Sequence, residues 1–105
     1  MLVDTSGSLE LKLVDFGFAY IQNKDGAKLA CGTALYMAPE IVNCETYNEK
    51  IDVWALGVIA YKLLSGENVF PGDTKEEVHH KIKKLDPVYT GKMFEKVSSG
   101  AKKFL

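Results

Sequence analysis

At 105 residues, 47% hydrophobic and 26% charged, the chain carries enough apolar material for one modest core and is not compositionally disordered. Its net charge of -1 excludes a basic footprint for nucleic acid and a polybasic patch for a membrane surface. The longest apolar run, 53–61, is broken by Lys62 after nine residues, well short of the roughly 20 that a membrane-spanning helix needs.

The opening Met1-Leu2-Val3-Asp4 is too short in apolar length for a signal peptide. Cys31 and Cys44 have twelve residues between them, outside any metal-ligand spacing, so the expectation is reduced thiols in a cytoplasmic or nuclear protein. Residues 2–3 and 9–14 read as two short strands joined by the polar turn Asp4-Thr5-Ser6-Gly7-Ser8. Leu9, Leu11 and Leu13 alternate with Glu10 and Lys12, the period of a half-buried strand that delivers its end to Asp15. Residues 22–28 form a polar loop with an Asp-Gly turn. Pro39 opens a short helix over 40–42, where its missing N–H costs nothing.

From 52 to 64 a helix is predicted with almost no polar face, which belongs inside a protein with other elements around it; Ser65-Gly66 ends it. Thr74-Lys75-Glu76-Glu77 is a capping box that opens a second helix, with Val78, Ile82 and Leu85 on one face, stopped by Pro87. Ser98 caps a further helix whose Ala101, Phe104 and Leu105 run into the last residue. His79 and His80 are adjacent and fall on different helix faces, which argues against a shared metal. The fold class expected is α+β: mostly helical with one small β-hairpin.

Two tripeptides carry the functional signal. Asp15-Phe16-Gly17 and Ala38-Pro39-Glu40 are separated by twenty residues. Cys31-Gly32-Thr33-Ala34-Leu35-Tyr36-Met37 leads into the second, and Asp52-Val53-Trp54-Ala55-Leu56-Gly57 follows it. In that order they resemble the activation segment of the eukaryotic serine/threonine protein kinases. The resemblance is specific over 9–66 and looser to 105, so residues 1–105 are expected to form part of the kinase C-lobe, from the strand after the catalytic loop to a late helix.

The resemblance implies ATP and Mg²⁺ as cofactors and a protein Ser/Thr as phosphate acceptor. Phosphoryl transfer needs the triphosphate, the metal and the hydroxyl held in line, with developing charge neutralised. Asp15 is then the metal-binding carboxylate, suited to a Mg²⁺ that keeps phosphate and water in its shell. Phe16 is expected to pack inward, and Gly17 to permit the backbone reversal. Thr33 would hydrogen-bond the catalytic aspartate and help place the acceptor; the bland alternative is a turn threonine capping the Pro39 helix. Ala30, Gly32, Ala34 and Met37 are the substrate-binding stretch, an apolar pocket favouring an apolar residue after the acceptor. Leu2 and Val14 would lie against the adenine and ribose. Glu40 and Asp52 are structural in the family: Glu40 is expected to be buried and paired with a distant arginine, and Asp52 to accept N–H groups of the catalytic loop. Trp54 is read as core.

Several kinase parts are not in the sequence: no Gly-x-Gly-x-x-Gly, no Val-Ala-x-Lys and no His-Arg-Asp occurs. The chain by itself is therefore expected to be inactive, and its Met1 start suggests an incomplete gene model. Leu29 occupies the position, four before Thr33, that most often carries an activating phosphate; Tyr20 is the one hydroxyl between Phe18 and Thr33. The loop is thus expected to be held by packing or by a partner. With Tyr47-Asn48-Glu49-Lys50-Ile51-Asp52-Val53-Trp54, this resembles the calcium- and calmodulin-regulated kinases. Two further readings stand beside an active parent kinase: a catalytically dead interaction module and a truncated gene product.

Overall fold

The computed structural model describes residues 2–5, 8–21, 26–85, 87 and 92–105. Strands β1 (Leu2–Thr5) and β2 (Ser8–Leu11) pair antiparallel, with Leu2 opposite Leu11 and Thr5 opposite Ser8. A 3-10 turn, Ala34–Tyr36, leads into α1 (Pro39–Val42), with Pro39 at the first turn as its sequence demands. Then come α2 (Lys50–Ser65), α3 (Lys75–Lys84), α4 (Lys92–Glu95) and α5 (Ser99–Phe104). The expected α+β class, mostly helical with one hairpin, is what forms.

Helix boundaries follow local chemistry. Gly66 closes α2 in the left-handed region, φ 77°, and its N–H donates to the Lys62 carbonyl at 2.8 Å. The Thr74 hydroxyl accepts from the Glu77 N–H at 3.2 Å, capping α3. The Glu77 carboxylate reaches one residue further back than a capping box requires, accepting from the Asp73 N–H at 2.9 Å. The Ser98 hydroxyl accepts from the Ala101 N–H at 3.2 Å and starts α5. At the end of α3 the chain turns left-handed at Leu85, φ 49°, ahead of Pro87. Leu85 is therefore 58% exposed and leaves the apolar face that helical spacing gives it.

The core sits where the 3-10 turn, α1, α2, α3 and α4 meet: Met37, Ile41, Val42, Val58, Tyr61, Val69, Phe70, Val78, Ile82 and Phe94. Tyr61 and Ile82 are its most enclosed side chains. Tyr61 stacks on Phe94 at 5.4 Å between ring centroids, and Trp54 on Phe70 at 5.8 Å, nearly parallel. Such aromatic pairs add about 0.5–1.5 kcal/mol beyond their area. Trp54 is half-buried at the edge of this core, and its indole N–H, although itself enclosed, meets no acceptor among the described residues.

Three packing expectations need correction. β2 stops at Leu11, and Leu11 and Leu13 are 85% and 89% exposed. Alternation prepares one face of a strand for burial, but burial requires a second layer, and none of the described residues supplies it. Phe16 is likewise exposed rather than packed inward. The all-apolar helix is in place as α2, yet Val53, Leu56, Ile59 and Leu63 remain exposed, because α2 meets the core along one side through Val58, Tyr61 and Ser65.

Candidate functional site

Asp15 lies beyond β2 at a sharp turn. Its own φ of 64° makes the reversal, not Gly17. Aspartate tolerates this left-handed region better than most residues, through local hydrogen bonding, and here its Oδ1 accepts from the Gly17 N–H at 3.2 Å. Gly17 has a different reason to be glycine: a Cβ there would stand 3.1 Å from Asp15 Oδ1. The Ala19 N–H donates to the Phe16 carbonyl at 2.9 Å and completes the turn. The result is an exposed carboxylate oriented by its own backbone. One carboxylate in the open suits Mg²⁺, which takes few protein ligands and keeps phosphate and water. Among the described residues no group of three His, Cys, Asp or Glu side chains gathers into a closed metal cage.

The second cluster is 30–37. Gly32, at φ 110°, turns the chain into Thr33, and the Thr33 carbonyl accepts from the Tyr36 N–H at 3.0 Å to begin the 3-10 turn. Thr33 is exposed, its side chain makes no cap hydrogen bond, and the N-cap of α1 is Ala38. The capping alternative for Thr33 therefore fails. Ala30 and Gly32 are exposed, Ala34 is half-buried against the core, and Met37 is buried within it. The 3-10 turn is thus seated on the core beside α2 and α3, while Ala30, Gly32 and Thr33 lie exposed ahead of it.

The other named positions fall as follows. Leu2 is on β1, its side chain outside the described ones, and Val14 is 52% exposed. Glu40 is half-buried in the first turn of α1 rather than enclosed, and Asp52 is exposed in the first turn of α2, where a carboxylate favours the helix N-terminus. Glu40, Trp54, Phe70 and Leu105 are among the residues lining a mainly apolar groove of about 680 Å³ along α2.

Sequence reasoning missed the anchor of the 26–31 stretch. Ala27 and Tyr47 form an antiparallel bridge, Ala27 N–H to Tyr47 carbonyl at 3.1 Å and Tyr47 N–H to Ala27 carbonyl at 3.0 Å. The Tyr47 hydroxyl donates to the Leu29 carbonyl at 2.6 Å. Burial, with the nearby Cys31 thiol adding to it, pushes the Tyr47 phenol up from its ordinary value. Gly26, φ 75°, is the signal that the sequence offers for this contact: a Cβ there would collide with Thr46 Cγ2.

The family model for the protein kinase domain matches residues 1–105, and the chain belongs to that family. Serine/threonine-protein kinase 33 of Mus musculus is 36% identical over 93% of this chain and 21% of its own length. Aurora kinase of Eremothecium gossypii is 42% identical over 75% and 22%. Myosin light chain kinase 2, skeletal/cardiac muscle, of Rattus norvegicus is 38% identical over 100% and 17%. The chain spans about a fifth of the length of these curated relatives. Among the described residues no helix is long and apolar enough to cross a membrane.

Proposed function

We propose that residues 1–105 are the activation-segment portion of a serine/threonine kinase catalytic domain, which in the whole protein moves the γ-phosphoryl group of ATP to a protein hydroxyl. The observation that carries this reading is the pairing, on one chain, of an oriented, exposed Asp15 carboxylate with the 30–37 turn seated on the core. Mg²⁺ held by Asp15 would supply charge neutralisation between the phosphates. The Gly17 N–H fixes the carboxylate's direction, so little rotamer freedom is lost when it takes up a cation. Thr33, exposed at a turn fixed by the Tyr36 N–H, would steady the acceptor side. Gly32 and the small side chains of Ala30 and Ala34 would leave room for a peptide backbone, and their apolar character disfavours a charged residue after the acceptor. A calcium- and calmodulin-type regulatory context is supported by the 47–54 pattern and by likeness to a myosin light chain kinase.

The missing catalytic aspartate and phosphate lysine predict that residues 1–105 with Mg²⁺, ATP and a Ser/Thr peptide transfer no phosphate above buffer. Each lost 1.36 kcal/mol of transition-state stabilisation is about tenfold in rate. Joined to the catalytic loop and nucleotide-binding lobe of a related kinase, the chain should phosphorylate peptide, and Asp15→Ala should abolish this with the fold intact. Transfer by the isolated chain that Asp15→Ala removes would overturn the inactive reading; an inactive joined domain would overturn the kinase reading.

One observation favours a second reading, a catalytically silent interaction module: Val53 and Leu56 line the groove along α2 and are themselves 60% and 55% exposed. In the first reading that groove takes further kinase elements, including the arginine that pairs with Glu40.

A further inference from the structure

The 26–31 stretch has little hydrophobic anchorage. Ala27 is buried, but Leu29, its one large apolar side chain, is 64% exposed. No phosphorylatable residue stands at position 29. What fixes the stretch is polar and comes from the connection between α1 and α2. The Ala27–Tyr47 bridge supplies two backbone hydrogen bonds, and the Tyr47 hydroxyl supplies a third, to the Leu29 carbonyl at 2.6 Å. The Gly26 backbone presses so closely on Thr46 and the Tyr47 carbonyl that no side chain fits between them. Downstream, the chain is fixed again where Ala34, Leu35 and Met37 meet the core. Between these two anchors lie Ala30 to Thr33, exposed or half-buried, with the left-handed Gly32 in their midst.

We propose that Tyr47 is a positioning residue for the peptide-receiving segment, its hydroxyl latching the Leu29 carbonyl so that 30–33 is held in a receptive form with no phosphate on the loop. A phosphorylated loop is ordered by charge-assisted bonds to arginine; here a neutral phenol performs the task from the opposite strand. The hydroxyl is the separable part of the clamp, since Phe at 47 keeps the ring and both backbone bonds. The peptide-positioning role rests on the kinase reading; the latch does not.

The test uses Tyr47→Phe and reads the latch and the peptide separately. In residues 1–105, alkylation of the half-buried Cys31 is followed against the exposed Cys44 as internal reference, with amide exchange in α3 as the control for global unfolding. Losing one hydrogen bond of ordinary net strength should raise Cys31 alkylation about three- to tenfold, with Cys44 and α3 unchanged. Gly26→Ala, which attacks the same clamp from the other side, should do the same. Unchanged Cys31 reactivity in both variants overturns the latch, whatever the chain catalyses. In the domain joined to a related kinase's missing parts, Tyr47→Phe should raise the peptide KM about three- to tenfold with kcat kept within about twofold. Faster alkylation with an unaltered KM overturns the peptide-positioning role and leaves the phosphoryl-transfer reading standing.

Discussion

Ile82 stands on the apolar face of the otherwise charged α3 and Leu63 on the almost wholly apolar α2, and a pattern-based reading buries both. Their surroundings differ completely: Ile82 is 0% exposed in the core, and Leu63 is 81% exposed on α2. Truncating a fully packed isoleucine to alanine removes its transfer free energy and leaves a cavity, about 2–5 kcal/mol in all. Leu63 keeps only a fifth of its surface covered, so Leu63→Ala should cost about 0.3–0.6 kcal/mol, a fifth of the value of a buried leucine. Against a domain stability of about 5–15 kcal/mol, the first change is severe and the second hardly visible. Urea titrations of the two variants, read by amide exchange in α2 and α3, measure both. Ile82→Ala should shift the midpoint far down or abolish the transition, and Leu63→Ala should leave it almost in place. Comparable losses would refute the reasoning, because they would mean that the outer face of α2 is covered in solution.

Thr74→Ala removes the hydroxyl that accepts the Glu77 N–H and should destabilise the chain by about 0.5–2 kcal/mol in denaturant melts, with Thr74→Ser restoring most of it. His79, whose Nε2 is enclosed with no partner among the described residues, is pushed below its ordinary 6.5 by burial, with Lys75 and Lys83 adding to this and Glu76 opposing. A depressed value means that the folded state prefers the neutral ring. Its contribution is therefore whole above 6.5 and lost as pH falls through the lower folded value. Melting temperature should drop as pH falls from 6.5 to the lower folded value, and His79→Gln should flatten the drop; parallel curves for the two proteins would refute it. Leu29→Thr should change stability by less than about 0.5 kcal/mol, since the latch uses the Leu29 carbonyl and not its side chain. In the joined domain, phosphatase treatment should leave wild-type activity intact, and mass spectrometry locating an essential phosphate on Thr33 or Tyr20 would refute this.

Much of the local structure was determined by sequence alone, because its causes are local. Pro39, Gly66, Thr74 and Ser98 act on backbone groups within four residues of themselves, so the ends of α1, α2, α3 and α5 could be read before any packing was known. The family was legible too, in Asp15-Phe16-Gly17 and Ala38-Pro39-Glu40 and the spacing between them. Burial was not. Leu11, Leu13 and Phe16 have the pattern of covered residues, and the tertiary structure leaves them exposed, since hydrophobic burial depends on which distant segment arrives. Sequence alone gives the reversal to Gly17, because glycine is the usual carrier of positive φ; in the structure Asp15 takes it, its Oδ1 accepting from the Gly17 N–H. The meeting of Tyr47 with Leu29, eighteen residues apart, was decided only by the tertiary structure. No periodicity or propensity encodes such a contact, because its free energy exists only once the chain between the two residues has folded back.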